Sequence, residues 1–513
     1  MHLKRSLQKK IAILFSMAVL LSVTSCASQG VTFVNQTNEE STFTSVKETY
    51  LVDIGFEGGT GKAYIESPVE VTSVDGNLSA VFVWSSVNYD YMIVDGVRYD
   101  NENPGGPSTF TVPVDDITGS LSVIGDTVAM STPHEIEYTI IWGEKTVTSS
   151  EVYEVSSVSE SELFDALEKA GLSKTGEINP EYATGFKVTR FGDYSVISIP
   201  NSGEYLLIPE GGTVPAGIPE GVTLLYKPLD ESYLVSTSAM DLIVTCGALD
   251  RIALSGTKAG DWYVEEAKEA MESGDILYAG RYRAPDYELL LESGCDIAIE
   301  NTMIYHEPAV KEKLEELGIP VLVETSSYEK EPLGRLEWIR LYGVLFGLEE
   351  EADSYFFDQV GKLSEILSDN PDTGMTVAFF HVTANGSINV RKNGDYITSM
   401  IQMAGGDYVP ENAGEGENAL STMNMQMEDF YSGAKDADIL IYNSTIAGEI
   451  TSIEELTALN PLFEDFKAVK EGRVYCTERN LFQQTTGMAD FVKDLSDIFN
   501  GVERDYTYIY RLK

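Results

Sequence analysis

Along this chain the spacing of apolar positions changes class. From about Glu48 to Trp142 apolar and polar residues alternate, as in Lys62-Ala63-Tyr64-Ile65-Glu66, Leu78-Ser79-Ala80-Val81-Phe82-Val83-Trp84, Tyr91-Met92-Ile93-Val94, Thr109-Phe110-Thr111-Val112, Leu121-Ser122-Val123-Ile124 and Ile136-Glu137-Tyr138-Thr139-Ile140. A period of two marks half-buried strands. Asp75-Gly76-Asn77, Asp95-Gly96 and Asn103-Pro104-Gly105-Gly106 supply the turns between them. Short strands so punctuated predict a β-sandwich over residues 48–148.

A connector over 149–184 holds a helical stretch near Glu160–Ala170, opened by Ser159-x-x-Glu162 at capping-box spacing. Beyond Gly185 short apolar runs alternate with helical patterns, which predicts an α/β fold. Ile276-Leu277-Tyr278, Ile297-Ala298-Ile299, Val321-Leu322-Val323, Thr376-Val377-Ala378-Phe379-Phe380 and Ile439-Leu440-Ile441-Tyr442 read as buried strands, and Pro285–Glu292 and Pro308–Leu317 as helices. One helix is longer than the rest. From Glu349 to Ser368 apolar residues fall at Ala352, Tyr355, Phe356, Val360, Leu363, Ile366 and Leu367, so one face is buried throughout. Glu349, Glu350 and Glu351 suit the dipole at its start, and Asp369-Asn370-Pro371 stops it. At 1.5 Å per residue it spans roughly 30 Å, the width of a small domain. It therefore divides two lobes, 185–348 and 371–513, and itself fills 349–370.

The N-terminus places the chain outside the cytoplasm. Lys4, Arg5, Lys9 and Lys10 precede an apolar run from Ile11 to Val23, followed by Thr24-Ser25-Cys26. A basic region, a short apolar core and small residues describe a secretory signal over 1–26. Val23-Thr24-Ser25-Cys26 resembles a bacterial lipobox, which implies acylation of Cys26 and a lipid anchor. The polar stretch at 27–47 reads as a flexible tether. Net charge of −47 argues against nucleic acid and against adhesion to anionic lipid by charge, leaving the anchor as the membrane contact. Cys246, Cys295 and Cys476 are too few for a disulfide framework; buried free thiols are expected, with a Cys246–Cys295 bridge as the alternative. Four histidines leave little for a His-rich metal site. Glu57-Gly58-Gly59-Thr60-Gly61-Lys62-Ala63 fails as a phosphate loop, since Phe56 stands where its first glycine belongs and Ala63 where a hydroxyl belongs. With no nucleophile elbow and no zincin or Cys-x-x-Cys motif, the chain is read as a binding protein and not an enzyme.

Two α/β lobes on one long helix, behind a lipoprotein signal, resemble the class III solute-binding proteins of ABC importers, which take up iron–siderophore complexes, haem and cobalamin. Four segments carry the likeness in order: Ser236-Thr237-Ser238-Ala239-Met240-Asp241, Pro285-Asp286-Tyr287-Glu288-Leu289-Leu290, Glu331-Pro332-Leu333-Gly334-Arg335-Leu336-Glu337-Trp338 and Met403-Ala404-Gly405-Gly406. The resemblance implies a monomer holding an iron chelate, haem or cobalamin in the interlobe cleft, with an ABC permease as partner and no intrinsic cofactor. Loops at strand ends, where open α/β sheets bind ligands, give Ser238, Met240, Tyr282, Arg283, Glu300, Asn301, Tyr305 and Tyr328 in the first lobe. The second gives His381, Arg391, Lys392, Tyr396, Tyr442, Asn443, Arg479 and Gln483. Aromatic rings with a few cations suit a flat anionic chelate. Where haem-binding relatives carry an axial methionine this chain has Tyr282 and Arg283, leaving Met240 and His381 as the available iron ligands. Docking onto the permease falls to Glu288 and Glu428.

The strand order and the run Phe110-Thr111-Val112-Pro113-Val114 are similar to NEAT haem-binding domains, a cell-surface module of immunoglobulin-like sandwich form. That likeness implies haem at His134 and Tyr138, with histidine replacing the first tyrosine of the usual pair. Two other functions fit the same sequence: a bare metal-ion binder, and a surface adhesion or scaffold lipoprotein.

Overall fold

The computed structural model describes residues 43–513 apart from 60, 75–76, 95–96, 104, 115–116, 130–133, 156–157, 370–371, 384–385, 412 and 415–421. The signal, Cys26 and most of the expected tether lie outside the described residues.

The N-terminal domain is one continuous eight-stranded antiparallel sheet. Its strands are β1 (Phe43–Gly58), β2 (Val69–Val74), β3 (Asn77–Val83), β4 (Tyr89–Val94), β5 (Val97–Asp100), β6 (Thr109–Val114), β7 (Ser120–Thr127) and β8 (His134–Val155), in the order β5-β4-β7-β8-β1-β2-β3-β6. Bulges in β1 between Thr49 and Tyr50 and between Val52 and Ile54 add local bend and twist. The sheet curls until its edges nearly meet, and Glu102 N, just past β5, donates to Thr109 O of β6 at 2.9 Å. Alternation identifies the strands and their inward faces but carries no pairing partners, so it does not separate a curled sheet from a sandwich. Val52, Phe82, Trp84, Met92, Phe110 and Ile140 fill the interior. β1 begins at Phe43, inside the segment expected to be a tether, because β8 extends to Val155 and pairs with it.

The connector is also built into the fold. Helix α1 (Glu160–Lys169) has the expected capping box: Ser159 accepts from Glu162 N, and Glu162 accepts from Ser159 N. It packs on a sheet of β9 (Lys174–Ile178), β10 (Lys187–Phe191), β11 (Tyr194–Ile199), β12 (Gly203–Ile208) and β13 (Thr223–Tyr226), ordered β13-β12-β11-β10-β9.

The first lobe carries a parallel sheet of β14 (Ser232–Leu234), β15 (Ile252–Ser255), β16 (Leu277–Tyr278), β19 (Ile297–Glu300) and β20 (Val321–Val323), in the order β16-β15-β14-β19-β20. A small hairpin, β17 (Gly280–Arg281) and β18 (Ala284–Pro285), follows β16. Helices α2 (Thr237–Thr245), α3 (Glu265–Ser273), α4 (Tyr287–Glu292) and α5 (Pro308–Glu316) connect these strands. Then come α6 (Pro332–Glu337), α7 (Ile339–Phe346) and the long α8 (Glu349–Asp369). The second lobe is built on β21 (Met375–Val382), β22 (Ile388–Arg391), β23 (Gly406–Tyr408), β24 (Thr422–Met425), β25 (Ile439–Tyr442), β26 (Val474–Thr477) and β27 (Ile509–Arg511). β21, β23, β25 and β26 run parallel at its centre. Its helices include α9 (Tyr396–Met403), α10 (Met427–Ala434) and α11 (Met488–Phe499).

Helix α8 joins the two lobes. It packs against α6 and α7 of the first lobe and against α11 of the second. Ala352, Phe356, Val360, Leu363 and Leu367 are buried along it, within one apolar core that continues through both lobes. Cys246, Cys295 and Cys476 are buried free thiols, as expected.

Candidate functional site

Successive βα turns bring polar side chains to the carboxyl ends of the first lobe's parallel strands. After β14 the chain turns into α2 through Ser236 and Ser238, and after β20 it passes Glu324 and Ser326. Ser238 donates to Glu324 Oε1 at 2.6 Å, Ser236 donates to the same oxygen, and Ser326 N donates to Oε2 at 2.9 Å. Glu324 is buried, so this shell of donors satisfies its carboxylate. Thr302 and Tyr328 join hydroxyls at 2.8 Å, Asn301 caps the following turn by accepting from Met303 N, and Tyr305 reaches Ser202 at 2.8 Å. Glu300, the last residue of β19, is fully buried with neither carboxylate oxygen hydrogen-bonded.

The second lobe presents a buried charged group. Arg391 pairs with Asp395 at 3.3 Å, and its guanidinium lies 4.8 Å from the Phe482 ring. Burial raises the Asp395 carboxyl to about 6, against the pull of Arg391. Burial, helped by Arg391, pushes His381 down to about 3, so its imidazole is neutral at neutral pH. Asn443 caps a helical turn, accepting from Thr445 N at 3.2 Å, while Arg479 meets Glu449 at 3.4 Å.

The lobes touch through several pairs. Tyr263 N donates to Gln483 Oε1 at 2.7 Å, Gln483 Nε2 donates to Asp261 O at 2.9 Å, and Thr486 N donates to Asp241 Oδ2 at 2.7 Å. Arg335 of α6 lies over the Tyr396 ring of α9, 4.0 Å from its centre. A cavity of about 10 Å³ is left there, lined by Arg335, Tyr396, Met400, Phe482, Thr485 and Met488. That is room for about one water. The junction is shut, and a bulky solute enters it only if the lobes part.

Several sequence expectations need correction. Met240 is wholly inside the first lobe's core, so it is not placed to ligate iron beside His381. Arg283 points to the N-terminal domain: it pairs with Glu102, donates to Thr111 O at 3.4 Å and lies over Tyr99. Tyr282, beside it, is half-buried and packs on the first lobe's apolar cluster. Tyr442 is a core residue packed edge-on against Phe380. Tyr138, the expected haem ligand of the β-domain, is buried against Phe56 and Trp84 with its hydroxyl 2.5 Å from that of Tyr89. His134 opens β8 opposite Thr127, and its side chain lies outside the described residues. Ser238, Asn301, Tyr328, Arg391, Tyr396, Asn443 and Arg479 stand at strand ends or the lobe junction, while Tyr305 turns toward β11–β12. Glu288 and Glu428 are exposed in the first turns of α4 and α10, in equivalent places of the two lobes. Arg335 and Glu324 are the residues the sequence did not single out. The α6–α7 stretch is mostly apolar but carries Arg335, Glu337 and Arg340, so the sequence held no signal that set Arg335 apart.

Residues 234–481 match the sequence model of the periplasmic binding protein family. The C-terminal part of the chain has the periplasmic-binding-protein fold, and that family consists of binding proteins rather than enzymes. An uncharacterized lipoprotein of Methanocaldococcus jannaschii is 25% identical over 386 residues, covering 72% of this chain and 94% of its own length. A second lipoprotein of that organism is 26% identical over 227 residues, 44% of this chain, and the match spans about half (53%) of that relative. Among solved structures, a periplasmic binding protein from Veillonella parvula is 17% identical with a TM-score of 0.44, covering 62% of this chain and 99% of its own. The periplasmic heme binding protein HutB of Vibrio cholerae is 15% identical with a TM-score of 0.43, covering 51% and 97%.

Proposed function

We propose that this chain is the extracellular, lipid-anchored solute-binding component of an ABC importer, and that it grips a metal chelate between its lobes. The observation that carries the reading is the placement of α8, which packs on α6 and α7 at one end and on α11 at the other. A single stiff connection of this kind permits small opening and closing movements about one axis. The strand ends of both lobes, with Ser238, Tyr328, Arg391 and Tyr396, border the region that such a movement opens. The family match over 234–481 supports a binding role, and the lipoprotein names of the two archaeal relatives agree with a Cys26 anchor. The ligand classes we favour are ferric siderophores, haem and cobalamin.

Glu288 and Glu428, exposed one per lobe, would meet the permease. Reversing both charges is expected to leave chelate affinity unchanged and to impair uptake by cells; undiminished uptake removes the assignment.

A thermal-shift screen of the mature chain against haem, ferric siderophores and corrinoids tests the reading. A ligand at 100 times its dissociation constant adds about 2.7 kcal/mol to stability. A chain that responds to none of them is not a chelate carrier, which leaves the bare-ion binder and the adhesin or scaffold as the readings.

A further inference from the structure

Arg335 is held in a setting that a purely structural arginine would not need. Only 4% of it is exposed, its Nε has no hydrogen-bond partner, and no carboxylate stands within ion-pair distance of it among the described residues. The nearby carboxylate, Asp395, is already paired with Arg391 at 3.3 Å. Two buried guanidiniums therefore stand near one buried carboxylate, and that carboxylate pairs with Arg391 alone. Burying a charge without an equal partner is costly, and so is burying a donor without an acceptor. The side chain lines the cavity between α6 and α9 and lies over the Tyr396 ring. On the proposed reading the lobes part here, which gives the missing negative charge a way in.

The geometry points to Arg335 as an anion-recognition residue, which takes a carboxylate or comparable anionic group of the solute while Arg391 and Tyr396 frame it. This deepens the proposed function and rests on that reading. The planar guanidinium fork matches a carboxylate through two parallel hydrogen bonds, which a lysine ammonium does not reproduce. Among the described residues none that lines the cavity is acidic, and the nearby Asp395 is committed to Arg391.

The test pairs anionic chelates with uncharged or cationic counterparts: haemin with its dimethyl ester, and ferric citrate with ferrioxamine and cyanocobalamin. Binding is measured by equilibrium titration on the wild-type mature chain, Arg335→Met and Arg335→Lys, each first checked for a cooperative melt. The wild type is expected to prefer the anionic member. Arg335→Met should weaken that member roughly ten- to a hundredfold, as loss of a charged hydrogen bond implies, and leave the uncharged one nearly unaffected. Arg335→Lys should fall between and covers the case in which the methionine variant does not fold. Equal affinity of wild type and both variants for the anionic chelates overturns the inference. So does a wild-type preference for the uncharged or cationic member, which leaves the carrier reading intact. Failure of the wild type to bind any of these probes overturns both.

Discussion

Glu300 closes β19 with no exposed surface and both carboxylate oxygens unbonded, close enough to Tyr233, Tyr282 and Tyr287 for its charge to act on their hydroxyls. Burial raises its carboxyl well above the ordinary glutamate range. The unfolded chain gives up this proton from about pH 4.3 upward, while the folded chain retains it to higher pH. The native state then binds more protons, so stability falls as pH rises above that point. Glu300→Gln removes the titration. It is expected to stabilise the protein at pH 7 by up to about 3–4 kcal/mol, because the buried glutamate must take back a proton that the unfolded chain has already lost, and by little at pH 4. Denaturant melts at both pH values check this, and an equal effect at the two would contradict it. The sequence placed Glu300 correctly at a strand end, because Ile297-Ala298-Ile299 reads plainly as a strand. Its burial was not legible, since that depends on the hairpin and helices packed over it. The same holds for Met240 and Arg283, whose neighbours come from distant parts of the chain.

At the scale of elements, periodicity served the helices better than the sheets. The stripe from Ala352 to Leu367 fixed α8 to within a residue of its observed end, because a helix is defined by contacts within one segment. The β-domain sheet depends on pairings such as β1 with β8, nearly a hundred residues apart in sequence, and on bulges that alternation does not reveal. Gly343 illustrates what sets the packing of α7 on α8. A Cβ there would stand 2.7 Å from Ala352 Cβ and 3.0 Å from Leu348 O, so the close approach of α7 to α8 depends on its absence. Alanine is intrinsically the better helix former by about 1 kcal/mol. Gly343→Ala is nevertheless expected to destabilise by about 1–3 kcal/mol through overpacking. A raised midpoint on thermal melting would show that this contact tolerates wider spacing.

The whole molecule couples a curled β-domain, two lobes and the helix between them. The β-domain is docked on the first lobe through Arg283, which meets Glu102 and Thr111 at the seam between β5 and β6. Arg283→Glu is expected to loosen this contact and expose the linker near residue 158 to protease, and Glu102→Arg in the same chain to restore protection. Protection that is unaffected by the single change would place the docking energy elsewhere. The overall plan of a β-domain followed by two lobes was legible because each change of period marks a new core. What occupies the lobe junction was not, because it is assembled from segments about 60 to 250 residues apart, such as Asp241 with Thr486 and Arg335 with Tyr396.

Hydrogen exchange of the mature chain, with and without the chelate that binds it, addresses the interlobe grip most directly. Slowed exchange is predicted on both sides of the junction at once, at residues 236–238 and 324–328 of the first lobe and at 388–396 and 479–487 of the second. Protection confined to one lobe or to the β-domain would contradict capture between the lobes.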